Sequence, residues 1–136
     1  MPEPIIAVDP GREKCGIAVV HKQKGILYKN VIGTSTLATA VRDLVDTYNT
    51  TTIVLGDRTS SREARRTLEQ IRINDLPLIL ISVDEHHSTD DARHRYWREN
   101  PPRGLMRLIP VTMQVPPVPV DDYVAVILAE RYFGKG

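Results

Sequence analysis

Short apolar runs alternate along the chain with segments of helical periodicity, and this alternation predicts an α/β domain. The first three runs follow one another closely, which favours an antiparallel meander. The last two are separated by helical segments, so we expect them to pair in parallel through right-handed crossovers. The result would be a five-stranded mixed sheet with helices on both faces. The apolar runs lie at residues 5–8, 16–21, 25–33, 51–56 and 78–83.

Helices are predicted where apolar residues recur every three or four positions and where capping residues precede them. Ser60-x-x-Glu63 and Ser88-x-x-Asp91 each match a capping box. Asn49 stands where the first helix should stop. The last strand, at 78–83, is apolar at odd and even positions alike, which predicts burial on both faces. The predicted helices begin near residues 34, 60, 88 and 121.

Residues 100–120 form a proline-rich loop within what we predict to be a single domain, residues 1–136. Six of the ten prolines lie in this loop, so neither a helix nor a central strand is expected there. A loop of about twenty residues is unusual in a compact domain unless it serves a function or moves.

Composition narrows the class of protein. The net charge of +1 indicates no preferred partner, although 13 of the 18 basic residues are arginine, which suits phosphate binding. Cys15 is the only cysteine, so a disulfide framework is excluded and a reducing compartment is expected. The chain shows no signal-peptide pattern and no apolar run long enough to cross a membrane, so we expect a cytoplasmic protein without a membrane partner.

Acidic residues stand at the ends of three predicted elements. Asp9 ends the first strand, Asp84 and Glu85 follow the fifth, and Asp121 and Asp122 begin the last helix. In the expected sheet the first and fifth strands end at the same edge, where the last helix can add its first turn. Several carboxylates converging there would suit Mg²⁺ or Mn²⁺, which prefer oxygen ligands.

Each acid also has an ordinary structural explanation. Asp9 precedes Pro10 and Gly11, so it can simply start a turn. Glu85 can be a solvated strand end. Asp121 is a good helix N-cap, with Val120 before it as a hydrophobic staple residue.

Three motifs, in chain order, resemble those of known nucleases. Asp9-Pro10-Gly11 followed by Gly16-Ile17-Ala18 resembles the opening DxGxxxxGhAh motif (h, apolar) of the ribonuclease H-like superfamily. Val83-Asp84-Glu85 followed by Ser88-Thr89 is similar to the DERxST motif of the YqgF/RuvX family. Residues 120–133 are similar to the closing IDxxAAxxILxxYL helix of that family.

This resemblance implies a ribonuclease H-like fold and a metal-dependent nuclease. The YqgF/RuvX family comprises Holliday junction resolvases and nucleases that process pre-16S rRNA, so the implied partner is branched DNA or an rRNA precursor. Asp9, Glu85 and Asp121 would be the catalytic acids and would hold two Mg²⁺ or Mn²⁺ ions. Asp84 would support Glu85, and Asp122 would replace or add to Asp121 as a metal ligand. A resolvase would need a homodimer to cut two symmetric strands, whereas an rRNA processor would not.

Two departures from the family pattern leave a second hypothesis open, a catalytically weak or inactive RNA- or DNA-binding relative with the same fold. His86 stands where the family has arginine, and the loop before Asp121 is rich in proline instead of lysine and glycine. His86 and His87 would point to opposite sides of an extended segment, which disfavours a shared zinc ion. Asp9-x-Gly11 also resembles the phosphate loop of the sugar kinase and Hsp70-like ATPases. Those proteins need two domains of this fold around a cleft, and 136 residues allow only one, so this function is disfavoured.

Arginine clusters supply candidate contacts to a phosphate backbone. A solvated helix face with intrahelical ion pairs is the alternative for the cluster around Arg62. A second arginine cluster spans residues 93–107, and Trp97, which lies within it in the sequence, is expected in the core. No motif that reads bases separates RNA from DNA. The candidate nucleic-acid-binding residues are Arg12, Lys14, Arg58, Arg62, Arg93, Arg95, Arg103 and Arg107.

Overall fold

Five strands form one mixed sheet, as the apolar runs predicted. The structure, a computed structural model, describes residues 3–57, 61–110, 114, 116–117 and 119–134. Its strands are β1 (Ile5–Asp9), β2 (Lys14–His21), β3 (Gly25–Gly33), β4 (Thr52–Gly56), the short hairpin strands β5 (Arg72–Ile73) and β6 (Leu76–Pro77), and β7 (Ile79–Val83). The spatial order is β3-β2-β1-β4-β7. The first three strands are antiparallel, and β4 and β7 continue the sheet in parallel with β1.

The carboxyl ends of β1, β4 and β7 lie at one edge of the sheet because these strands are parallel. The register places Val8 beside Leu55 and Gly56 beside Val83. Asp9 is the last residue of β1, and Glu85 follows the end of β7. We call this side of the sheet the carboxyl edge; it is the side at which α/β proteins generally bind ligands.

Helices cover both faces of the sheet, as predicted. They are α1 (Leu37–Tyr48), α2 (Ser61–Glu69), α3 (Ser88–Glu99) and α4 (Asp121–Tyr132). Alternate residues of β1 point to opposite faces. Ile6 and Val8 therefore pack in the same cluster as residues of α1 and α2, whereas Ala7 packs with α4. The core is thus two apolar layers with the sheet between them.

The helix α3 packs mainly against α4, in a small cluster of its own. Ala92 and Tyr96 from α3 meet Tyr123 and Val124 from α4, and all four are buried. Trp97 packs partly buried against this cluster, at the end of α3. None of the described helices combines the length and the apolar character needed to cross a bilayer.

The helix boundaries correct two predictions about capping. The helix α3 begins at Ser88 itself, and its N-cap is His87 in the left-handed conformation with φ of 58° and no side-chain cap bond. The predicted Ser88 capping box is therefore wrong. The helix α4 likewise begins at Asp121, with Val120 as the N-cap residue, so Asp121 is not a cap. The Ser60 cap lies outside the described residues, and Asn49 ends α1 with φ of 53°, as expected.

The strand β7 corrects a further prediction. It was expected to be buried on both faces, but it is an edge strand, and Ile79 is 55% exposed. It still has apolar residues at both parities because Leu80 packs against one core layer and Val83 against the other. The periodicity of one strand does not report how many neighbours it has.

The proline-rich loop contains a short helix that was not predicted. A five-residue 3-10 helix spans Gly104–Leu108. It fits between Pro102 and Pro110 because no proline interrupts that stretch. Gln114 holds it in place by donating hydrogen bonds to the Met106 and Ile109 carbonyls at 2.9 and 2.8 Å.

Candidate functional site

Asp9 and Asp121 meet at the carboxyl edge on either side of Gly16. Gly16 is the register partner of Asp9 in the β1–β2 ladder. A Cβ atom on Gly16 would lie 2.9 Å from the Asp122 amide nitrogen and closer still to the Asp121 carbonyl. The first turn of α4 therefore rests directly on β2, and only glycine permits this approach. Two residues 112 positions apart in the chain are brought together by this contact.

The two aspartates line one cavity of about 470 Å³. Arg12, Lys14 and Thr89 line the same cavity, and both basic side chains are exposed. We call it the carboxyl-edge cavity. It joins carboxylates that suit a divalent cation with cations that suit a phosphate. The hydroxyl of Thr89, in the first turn of α3, adds a hydrogen-bond donor to the same space.

Glu85 lies at the same edge but inside the protein. Its side chain is only 2% exposed and lies against Gly56, the last residue of β4. A Cβ atom on Gly56 would lie 2.5 Å from Glu85 Cγ and closer still to the carboxylate. The Glu85 amide donates to Asp57 Oδ1 at 3.2 Å, which fixes the backbone after β7. Glu85 is not among the residues that line the carboxyl-edge cavity.

The neighbouring acids, Asp84 and Asp122, make structural contacts. Asp84 Oδ1 accepts a hydrogen bond from the His86 amide at 2.9 Å. Asp122 is turned toward β3, where its Oδ2 lies 3.2 Å from Lys29 Nζ. The structure therefore brings Asp9 and Asp121 into one cavity, with Glu85 below the surface, and does not bring Asp122 to them.

Lys29 has a raised pKa, above its ordinary value of 10.5. Partial burial disfavours the charged ammonium and alone would lower the pKa, but the nearby Asp122 carboxylate more than offsets this. Tyr123 adds to the increase, and its ring centroid lies 4.3 Å from Lys29 Nζ. This group of three side chains joins β3 to the first turn of α4, directly behind Asp121.

We expect the free energy of unfolding to fall as the pH rises through the folded-state pKa of Lys29. Because the pKa is higher in the folded state, the contribution of Lys29 is fully present below about pH 10.5 and is lost above the folded-state pKa. Its size should be about 1 kcal/mol. Urea unfolding is compared between neutral and strongly alkaline pH. Over this range Lys29→Met should lose less free energy of unfolding than the wild type, whereas Lys24→Met, at an exposed turn, should lose as much as the wild type. Equal losses in all three proteins would contradict this assignment.

The donor set at the carboxyl edge fits a hard divalent cation in its chemistry. Asp9 and Asp121 offer carboxylate oxygens beside an open cavity, and Mg²⁺ retains several waters when bound by one or two carboxylates. Within the described ranges, no three side chains of His, Cys, Asp or Glu are grouped closely enough to hold a metal. Of the three predicted metal ligands, Asp9 and Asp121 therefore line the cavity, and Glu85 is held behind them.

The two histidines after Asp84 and Glu85 are exposed. Their rings contact each other edge to face, with centroids 3.9 Å apart. His87 Nδ1 lies 3.5 Å from Asp90 Oδ2, within the first turn of α3. His87 therefore belongs to the start of α3, and His86 lies on the surface beside it.

Seven of the eight predicted nucleic-acid-binding residues are described, and they fall into two groups, one bound to an acid and one exposed. Arg95 donates from one guanidinium nitrogen to both Glu130 oxygens, at 2.8 and 3.0 Å, so it joins α3 to α4. Arg58 lies outside the described residues. The others are exposed, and no ion pair of theirs is found in the part of the chain that is described; they are Arg12, Lys14, Arg62, Arg93, Arg103 and Arg107.

Two residues of the site were not selected from the sequence. Thr89 was noted only as part of a motif, although a polar residue in the first turn of a helix that follows a parallel strand is well placed for a ligand. Gly56 was noted as the end of a strand and the start of a polar turn, but not as a residue that leaves space for Glu85. A glycine that ends one parallel strand, beside a strand followed by an acid, is the signal that would have indicated its contact with Glu85.

Comparison with solved structures identifies the fold. No protein-family model matches the chain, and a search of curated proteins gives no significant match. The structure of T. thermophilus RuvC in complex with a Holliday junction substrate is 12% identical, with a TM-score of 0.54 and coverage of 97% of both chains. A second Thermus thermophilus RuvC structure is also 12% identical, with a TM-score of 0.53 and coverage of 97% of this chain and 95% of RuvC. The chain therefore has the ribonuclease H-like fold of the RuvC structures.

Proposed function

We propose that this protein is a divalent-metal-dependent nuclease that hydrolyses phosphodiester bonds in structured nucleic acid. The observation that carries the proposal is the meeting of Asp9 and Asp121 in one cavity that also contains Arg12 and Lys14. Carboxylates for a cation and cations for a phosphate are the two requirements of such a site. The likeness in fold to RuvC supports the same reaction class.

Asp9 and Asp121 would hold Mg²⁺ or Mn²⁺ at the cavity, and a set of two ions would require Glu85 to turn from Gly56 toward them. The ions would supply Lewis acidity and a water with a lowered pKa. Arg12 and Lys14 bind the phosphate on the open side of the cavity and neutralise its charge. The helices α3 and α4 both begin at this edge, so their positive N-terminal ends also favour a phosphate there.

Branched DNA is the first substrate to test, because one of the similar RuvC structures contains a Holliday junction. The motifs at Asp9, Glu85 and Asp121 also support membership of the YqgF/RuvX family, and with it a pre-16S rRNA substrate. For junction resolution we expect a homodimer, since two symmetric strands must be cut. For rRNA processing a monomer suffices, so the molar mass in solution bears on the choice.

A cleavage panel tests the proposal. Wild-type protein is incubated with a four-way DNA junction, a pre-rRNA fragment and a linear duplex, each with Mn²⁺ or with excess chelator. We expect cleavage of a structured substrate that depends on Mn²⁺, and calorimetric binding of Mn²⁺ by the protein alone. A protein that binds no Mn²⁺ and cuts none of the substrates would overturn the proposal.

A second candidate function is nucleic-acid binding without cleavage, and one observation favours it. Glu85 is buried against Gly56 and does not reach the carboxyl-edge cavity. With only Asp9 and Asp121 of the three predicted metal ligands at the cavity, phosphate binding through Arg12 and Lys14 would remain while the metal set stayed incomplete. This candidate predicts salt-sensitive binding of the junction that survives Asp9→Asn, with no cleavage by either protein.

A further inference from the structure

A second cavity, of about 520 Å³, lies between the end of α3 and the proline-rich loop. We call it the loop cavity. Its walls combine flat and flexible apolar groups with polar groups: Trp97, Pro102 and Met106 on one hand, and Asn100, Arg103 and Gln114 on the other. It is separate from the carboxyl-edge cavity, and the two share no lining residue in the described part of the chain.

The indole of Trp97 is held in position by aromatic packing. Its ring lies edge to face against Tyr96, with centroids 5.0 Å apart, and Tyr96 packs in the same way on Tyr123. Trp97 Nε1 is buried, and it has no hydrogen-bond partner in the described structure. The cavity wall therefore includes a flat ring that its aromatic neighbours hold in place.

The charge around the loop cavity favours an anion beside a flat ring. Arg103 lines the cavity, and Arg107 lies one helical turn beyond it. Residues 101–110 contain no acid. Among the described lining residues Glu99 is the one acid, and its carboxylate lies 4.0 Å from Arg95 Nε. A nucleotide offers both features, a stacking base and a phosphate.

The helix α3 connects the two cavities. Thr89, in its first turn, lines the carboxyl-edge cavity, and Trp97, near its end, lines the loop cavity. Eight residues of α-helix span about 12 Å, which is three to four base steps of a stacked strand. The packing of α3 on α4 keeps this spacing fixed.

We propose that the loop cavity binds one unpaired base of the substrate, three to four nucleotides from the phosphate at the carboxyl edge. The base stacks on Trp97, and Arg103 binds the adjoining phosphate. The inference rests on the proposed function for its choice of ligand, but it concerns a separate surface. It gives the enzyme a way to recognise structured nucleic acid, because a fully paired duplex offers no free base.

Trp97 is the only tryptophan, so its fluorescence reports directly on the loop cavity. The protein is titrated, in chelator, with a short oligothymidylate and with an abasic oligonucleotide of equal length and charge. Binding is followed in parallel by the anisotropy of a label on the oligonucleotide. We expect the thymidylate to quench Trp97 and the abasic strand to leave it unchanged and bind about tenfold more weakly.

Matched variants locate the effect. Arg103→Ala should weaken thymidylate binding about tenfold. Arg42 is an exposed arginine on α1 that does not line the loop cavity, so Arg42→Ala should leave this binding unchanged. Equal quenching by both strands, or binding by anisotropy without quenching, would overturn the inference. Quenching by a proline-rich peptide in place of the oligonucleotide would also overturn it.

The chelator separates this outcome from that of the proposed function. Base-dependent quenching without any cleavage would support the assignment of the loop cavity and contradict the proposed nuclease function. Cleavage without base-dependent quenching would support the nuclease function and contradict the assignment of the loop cavity.

Discussion

Asp9→Asn is expected to lose Mn²⁺-dependent cleavage by about a thousandfold. Asparagine has nearly the same shape as aspartate but removes one of the two negative charges that meet beside Gly16. The affinity for a divalent cation depends on that charge, so the loss should affect catalysis and metal binding together. The fold should be unaffected because Asp9 ends β1 and is only partly buried.

The matched control is Glu13→Gln. Glu13 is an exposed acid that lines the same cavity, and this change also replaces a carboxylate with an amide of equal size. Single-turnover cleavage and Mn²⁺ calorimetry should show a large effect for Asp9→Asn and a small one for Glu13→Gln. If both variants lost the same activity, the general negative potential of the cavity would matter and the specific position of Asp9 would not.

Gly16→Ala is expected to lower the free energy of unfolding by about 3 kcal/mol and to abolish cleavage with it. The added methyl group would overlap the backbone of Asp121 and Asp122. Backbone cannot move aside as a flexible side chain can, so α4 would have to lift from β2. The lift would separate Asp121 from Asp9 and would also open the apolar layer beneath α4.

Gly33→Ala provides the control for this change. Gly33 ends β3, and the nearest atom to an added Cβ would be Ser35 Oγ at 4.0 Å. Urea unfolding should place this variant within about 0.5 kcal/mol of the wild type. A Gly16→Ala protein of wild-type stability would mean that α4 does not pack against β2 as described.

The parts of the fold that follow from local chemistry could be predicted from the sequence. The closely spaced runs gave the antiparallel strands, and helical segments between the later runs gave the parallel ones. That topology was enough to place Asp9 and Glu85 at one edge and to bring Asp121 to it. The resemblance in the motifs at these residues led to the ribonuclease H-like fold that the comparison shows.

The remaining features depend on contacts between distant segments, which no local pattern records. Glu85 is buried because Gly56 leaves space for it, and Asp122 turns away because Lys29 lies opposite on β3. The neighbour of Arg95 on α4, Glu130, is 35 positions later in the chain. Ser88 matched a capping pattern, but the left-handed turn at His87 shifts the start of α3 onto Ser88 itself.

The position of α4 after every strand of the sheet has a consequence for synthesis. The segments that carry Asp9 and Glu85 leave the ribosome before the segment that carries Asp121. The docking of α4 then buries Ala125 and Leu128 and delivers Asp121 in the same event. Under the proposed function, folding and activation would be one step, because an incomplete nascent chain would still lack Asp121.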